Sequence, residues 1–298
     1  MKNNVLLVLT ALIWGCAFVA QSVGMDYVGP FTFNTVRNFI GALVLIPVIL
    51  MMDKGAEKSG LTPEEMKTRR GDTKTLVIGG ICCGTALAVA SSLQQWGILF
   101  TTVGKAGFIT AMYIVLVPIF GIFLGKKVRP LIWLCVALAV VGLYFLCINE
   151  TFRLNTGDFL VILCAICFTV HILVIDHFSP KVDCVRLSAI QFLVAGIVCG
   201  IPMLIWEHPE IADILAAWMP ILYAGVMSSG VAYTLQIVAQ KNADPTVASL
   251  LLSLESVFSL LAGWVILHQS LSIKELFGCA LMFGAIILAQ LPEKKRAA

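Results

Sequence analysis

Long apolar runs separated by short polar connections repeat along the whole chain, and no stretch between them reads as a soluble domain. Ten such runs fall near residues 4–24, 33–52, 75–100, 104–125, 130–148, 157–177, 187–206, 217–240, 246–267 and 272–291, numbered here as spans 1 to 10. A helix needs roughly 20 apolar residues to cross a bilayer. The pattern therefore predicts an all-α integral membrane protein with ten transmembrane helices. The longest connection, Asp53 to Lys74, is too short to hold a catalytic domain. The run after Lys2 extends to about Val23 without a clean small-x-small cleavage site, so it reads as a retained first span and not a signal peptide.

Composition agrees with this reading. Of 298 residues, 59% are hydrophobic and 12% charged, against about a quarter charged in soluble domains. The net charge of +3 gives no reason to expect nucleic-acid binding. Charge distribution says more. With both termini cytoplasmic, only Arg37, Lys105, Arg153 and Lys274 of the 20 Lys and Arg residues fall outside. Cytoplasmic loops carry the excess of Lys and Arg, so both termini are expected inside. Asn149-Glu150-Thr151 is a formal glycosylation sequon in a predicted outside loop.

Ten cysteines could suggest bridges, yet nine fall within predicted spans and only Cys184 in a loop. There they act as small apolar residues. Cys164 and Cys167 are i,i+3 neighbours on one helix with no further ligands nearby, so no metal or other cofactor is expected. No GxxxxGK[ST], HExxH or GxSxG pattern occurs. The chain does not read as an enzyme.

The two halves resemble each other weakly. Trp14 matches Phe168 and Arg37 matches Gln191 at an offset of 154; Gln94 matches Gln236, and Gly142 matches Gly284, at 142; Phe120 matches Phe258 at 138. Residues 1–150 and 151–298 each hold five spans. An odd number forces the second copy to run the other way, giving inverted-topology repeats with a site near the midplane, open alternately to each side.

Polar residues at depth are the candidates for function. Glu255 is the only charged residue from Thr246 to Leu267, and an ionisable group at a helix centre costs roughly 2.5–3.5 kcal/mol. It either exchanges a proton and couples substrate movement to protons, or ties span 9 to a neighbour. Its match in the first half, Val117, is not acidic, so the repeat does not demand an acid. Arg37 shares a face of span 2 with Asn34, Asn38 and Gly41. It could hold a substrate carboxylate or snorkel to the interface.

Neutral groups form the most site-like pattern. Ser229, Tyr233, Gln236 and Gln240 recur along one face of span 8, Trp14, Phe18 and Gln21 along span 1, and Ser91, Gln94 and Gln95 cluster in span 3. Tyr113 and His171 add polar aromatics in spans 4 and 6. The candidate substrate-binding set is Trp14, Gln21, Asn38, Gln94, Gln95, Tyr113, His171, Tyr233 and Gln236, with Glu255 and Arg37 for coupling or gating. The competing reading is plain interhelical hydrogen bonding, worth about 0.6 kcal/mol per bond. Gly121-x-x-x-Gly125 and Gly196-x-x-x-Gly200 are expected to allow close helix contact, within the fold or between protomers.

Trp14-Gly15, the Pro30…Arg37 opening of span 2, SLQQWGILFTTVGKAGF (92–108) and LLLSLESVFSLLAGWVILHQSLS (250–272) together carry a resemblance. The chain is similar to the drug/metabolite transporter superfamily, in the ten-helix branch built from two EamA-type repeats, from about Leu6 to Leu291. It departs from that family at Ser256, where Pro is common, and at His268-Gln269, where Gly-Glu is common. The resemblance implies a secondary transporter of the cytoplasmic (inner) membrane, a monomer or homodimer in the lipid bilayer. It would export small amphipathic metabolites such as amino acids, by proton antiport or facilitated efflux. The rivals are an integral-membrane enzyme acting on a lipid-linked substrate and a non-transporting scaffold or sensor.

Overall fold

The structure, a computed structural model, describes residues 2–101, 103–126, 128–147, 155–267 and 272–289. Asn149-Glu150-Thr151, His268-Gln269 and the basic residues Lys294, Lys295 and Arg296 lie outside the described residues. Among the described residues every regular element is helical, apart from an isolated bridge between Gly71 and Val182.

In chain order the helices are α1 (Lys2–Gly24), α2 (Pro30–Lys58), the short α3 (Pro63–Arg70), α4 (Thr73–Ile98), α5 (Val103–Thr110), α6 (Tyr113–Phe123), α7 (Pro130–Cys147), α8 (Thr156–Phe178) and α9 (Cys184–Pro202). A π-helical turn, Met203–Glu207, extends α9. Then follow α10 (Ile211–Ala216), α11 (Trp218–Leu222), a π-helical stretch Tyr223–Tyr233, α12 (Thr234–Gln240), α13 (Pro245–Leu252), α14 (Glu255–Leu267) and α15 (Ile273–Ala289). Among the described residues, eight helical stretches are long and apolar enough to cross a membrane; α7 and α15 contain two shorter apolar ones.

Local chemistry explains where these helices begin. Asp72, Asn155, Asp183 and Asp244 each accept backbone N–H groups of the first turn that would otherwise lack partners. The Thr75 backbone N–H holds the exposed Asp72 carboxyl below the usual carboxylate range. Pro30 and Pro245 sit in first turns, where a missing N–H costs nothing.

Spans 4 and 9 are each interrupted. Between α5 and α6 the ladder tightens to i→i−3 bonds, with the Met112 N–H on the Ile109 carbonyl and that of Ile114 on Ala111. Between α13 and α14 the Ser256 N–H does the same to Ser253, and the Ser253 hydroxyl bonds the Leu250 carbonyl. Mid-helix tightening of this kind often marks a functional hinge. Tyr113 and Glu255 are the first residues after the two interruptions, 142 apart, the offset that also relates Gln94 to Gln236. On that offset the mate of Glu255 is Tyr113, not Val117, and Phe120 no longer answers to Phe258. The similarity near those phenylalanines was between apolar neighbours, which short sequences share readily.

Helix packing is reciprocal between the halves. α4 lies against α8 and α9; the stretch from α11 to α12 lies against α1 and α2. α2 pairs with α9 and α7 with α15. Small residues permit the close crossings, as expected where lipid supplies no hydrophobic drive between helices. A Cβ on Gly157 would sit 2.7 Å from the Gly97 carbonyl oxygen, and one on Gly196 2.9 Å from the Phe39 ring. Gly121 and Gly125 do not form such a contact: Gly125 ends its helix at φ +79° with nothing within 4 Å.

Candidate functional site

Polar groups gather inside this bundle while large apolar side chains such as Leu43, Ile201 and Phe123 face outward. A central cavity is lined by Trp14, Phe18 and Gln21 of α1, Arg37 of α2, Gln94 of α4, Thr110 of α5, Tyr113 of α6, Phe168 and Ile172 of α8, Ser228 and Tyr233 of the π stretch, Gln236 of α12, Leu252 of α13 and Glu255 of α14. It leaves about 30 Å³ for the centre of a water-sized sphere. At about 10–15 Å³ per water, that is room for two waters. The site is narrow, and any metabolite needs it to widen.

Six of the nine sequence-predicted binding residues face this cavity: Trp14, Gln21, Gln94, Tyr113, Tyr233 and Gln236, together with Arg37 and Glu255. The other three do not line it. Asn38 is buried and donates its Nδ2 to the Asn34 carbonyl. Gln95 donates its Nε2 to the Gln21 carbonyl. His171 sits behind Tyr233, with ring centroids 5.9 Å apart, and its Nε2 lies 3.0 Å from Gln191 Oε1. Each is one residue off the inner face, beside Arg37, Gln94 or Ile172; Gln95 and His171 tie helices together, while Asn38 bonds within its own helix.

Sequence reasoning missed Thr110, Phe168, Ile172, Ser228 and Leu252 as lining groups and left Phe18 out of the binding set. The repeat held most of the missing signal. Trp14 and Phe168 are 154 apart, as are Phe18 and Ile172; Gln94 and Gln236, Thr110 and Leu252, and Tyr113 and Glu255 are each 142 apart. Ser228 had a different cause. The face drawn through Ser229 assumed 3.6 residues per turn, but this stretch is π-helical with i→i+5 bonding. Ser228, five residues before Tyr233, takes the inner face, and Ser229 packs at Gly41.

Several lining groups are buried without a partner among the described residues: Trp14 Nε1, Gln21 Oε1, Arg37 Nε and Gln236 Oε1. Such orphaned groups cost free energy unless something that enters the site satisfies them. Glu255 accepts a 2.9 Å hydrogen bond from the Tyr113 hydroxyl. Arg37 and Glu255 do not pair, and both line the cavity with Tyr233. Trp14 and Tyr233 rings meet at 4.5 Å.

The antiparallel α2–α9 pair is fastened at each end by a carboxylate. At one end Arg186 Nη2 donates to both Asp53 oxygens, at 2.7 and 2.6 Å, and Arg70 adds an ion pair at 3.1 Å. The Asp183 N–H bonds the Arg70 carbonyl there, and Lys126 pairs with Asp176. At the other end Glu207 accepts from the Phe31 and Thr32 N–H groups, at 2.9 and 2.7 Å, and from the Thr32 hydroxyl. A Cβ on Gly29 would fall 2.3 Å from Glu207 Cδ, so a side chain there would shift this carboxylate from its place. Asp53 and Glu207 are 154 apart, and so are Thr32 and Arg186. The two clasps occupy equivalent places in the two halves.

Comparison with known proteins gives a consistent family. The sequence matches the EamA-like transporter family over residues 1–148 and again over 155–291. An uncharacterized transporter of Archaeoglobus fulgidus is 31% identical over 288 residues, covering 96% of this chain and 84% of its own. The uncharacterized transporter YoaV of Bacillus subtilis is 21% identical over 289 residues, covering 95% and 94%. A crystal structure at 18% identity shares the fold, with a TM-score of 0.77 over 97% of each chain.

Proposed function

The chain belongs to the EamA-like transporter family and is a multi-pass membrane transporter, and from that premise we propose that it exports small amphipathic metabolites such as amino acids across the cytoplasmic membrane by alternating access. In this reading ten spans form two inverted-topology halves, 1–150 and 151–298, with both termini cytoplasmic. The central cavity is the substrate site, and protons are the coupling ion.

The observation that carries this reading is the narrow polar cavity lined by both halves, together with two equivalent clasps at opposite ends of α2–α9. Inverted repeats can exchange conformations by symmetry. Opening the Asp53–Arg186 clasp would expose the cavity on one side while Glu207 keeps α2 capped on the other, and the reverse. The ten paired lining residues give both states a similar wall. Among the described residues Glu255 bonds only the neutral Tyr113 hydroxyl, which leaves it able to exchange a proton with the cavity.

The direct test is efflux from sealed proteoliposomes loaded with a metabolite mixture, with and without an imposed pH gradient, read by mass spectrometry. A few solutes, amino acids among them, are expected to leave several-fold faster than from protein-free vesicles. Equal loss from both would overturn the transporter mechanism proposed here.

The clasps make a second prediction. With Thr110→Cys as the sole thiol, Asp53→Asn is expected to raise labelling by an impermeant maleimide several-fold from the side of the Asp53 clasp. Glu207→Gln should raise it from the opposite side. Increases on the same side in both variants, or in neither, would remove the case for alternation through these clasps.

A further inference from the structure

We infer that Arg37 anchors a carboxylate on the transported molecule and so selects the substrate, a deepening that rests on reading the central cavity as the transport site. The guanidinium is 2% exposed and lines the cavity. Its Nε is unpartnered, and among the described residues no carboxylate lies within ion-pair distance of it. The nearby acids are engaged elsewhere: Glu207 caps α2, and Glu255 bonds Tyr113. The Phe33 ring lies 5.9 Å from the guanidinium carbon. A buried charge without a partner is costly, and a packing role would not need it. The repeat demonstrates this point: the equivalent position on α9 holds neutral Gln191, bonded to His171 and outside the cavity lining. The frame thus accepts glutamine where the first half carries arginine.

The chemistry of the missing partner follows from the site. Arginine's planar fork matches a carboxylate, and one positive charge balances one negative charge, whereas a phosphate monoester brings about two. Trp14 Nε1 offers a further unpartnered donor, while Gln21 Oε1 and Gln236 Oε1 are unpartnered acceptors that require N–H groups. A ligand that supplies an anionic acceptor and N–H donors, with an apolar body to lie against Phe18 and Phe168, is a monocarboxylic amino acid.

The test compares amino acids with their own amides. Binding to the purified full-length protein is read by thermal shift, and transport by proteoliposome counterflow, for phenylalanine, leucine and methionine and for the corresponding amides. Parent protein is expected to bind and move at least one acid with at least ten-fold preference over its amide. Arg37→Gln should weaken the acid at least ten-fold and abolish the preference; Arg37→Lys, which keeps the charge and loses the fork, should fall between. The comparison in parent protein needs no variant and holds even if a substitution impairs folding. Equal handling of acid and amide by the parent, or a preference that survives in Arg37→Gln, would overturn the assignment. Movement only of amines, sugars or phosphate esters, unchanged in Arg37→Gln, would overturn it while leaving the transporter reading intact. If the vesicles move no solute at all, both fall.

Discussion

Glu255→Gln is expected to yield a folded protein in which a pH gradient no longer drives solute movement, with gradient-driven efflux reduced at least about ten-fold. The glutamine amide oxygen can still accept the Tyr113 hydroxyl, now at 2.9 Å from the carboxylate, and the side chains match in size. What glutamine cannot do is take up and release a proton. Glu255 begins α14 directly after a tightened turn, and Tyr113 begins α6 after the equivalent turn. A change in protonation therefore acts on the bond joining the two hinged spans. Solute exchange at equal pH, which needs no net proton movement, should persist in this variant. Glu255→Ala behaves differently, because it orphans a buried hydroxyl at a cost of about 1–3 kcal/mol, and its melting temperature should drop as well. Full gradient-driven efflux by Glu255→Gln would reduce the carboxyl to a tie between α14 and α6.

Gly15→Leu should cause the largest loss of stability. A Cβ at Gly15 would lie 2.4 Å from Phe258 Cβ and 2.7 Å from both the Phe258 carbonyl carbon and the Ser259 nitrogen. These are the backbone and stem of α14, which cannot rotate aside as a side-chain tip could. Overpacking a tight contact costs about 1–3 kcal/mol, occasionally more, and here it forces α1 from a helix that carries Glu255. The expected readout is a sharp fall in monodisperse, folded protein in detergent. Gly284→Leu is the matched control, since nothing lies within 4 Å of its Cβ position. Equal stability of the two variants would contradict the close α1–α14 crossing.

The Gly142 and Gly284 pair shows where sequence reading reaches its limit. The residues match at the repeat offset, yet only Gly142 is crowded, its Cβ position lying 2.9 Å from the Gly278 carbonyl oxygen. Sequence similarity reports a shared ancestry of positions and not the distance to a neighbouring helix. Asn38, Gln95 and His171 teach the same lesson. They looked like cavity residues because polar groups at membrane depth are rare, but a polar group can be satisfied by a partner on the next helix as readily as by a substrate. Asn38 is satisfied one turn back on its own helix, at the Asn34 carbonyl, whereas the partners of Gln95 and His171, at Gln21 and Gln191, depend on rotations of α4 and α8 that one helix's periodicity does not contain.

Sequence by itself determined the membrane class, the positions of the long apolar helices to within a few residues, and most of the residues that line the cavity. Those features depend on hydrophobic runs and on polar residues placed where lipid would reject them, which are properties of the chain alone. Tertiary structure decided the rest. It moved the inner face of span 8 from Ser229 to Ser228 through a π-helical stretch, and it paired Glu255 with Tyr113 across two interrupted spans. It also set Asp53 against Arg186 and Glu207 against the start of α2. Each of these depends on how helices far apart in sequence are rotated and brought together, and that is fixed by packing at glycine crossings, not by the hydrophobic pattern of any single span.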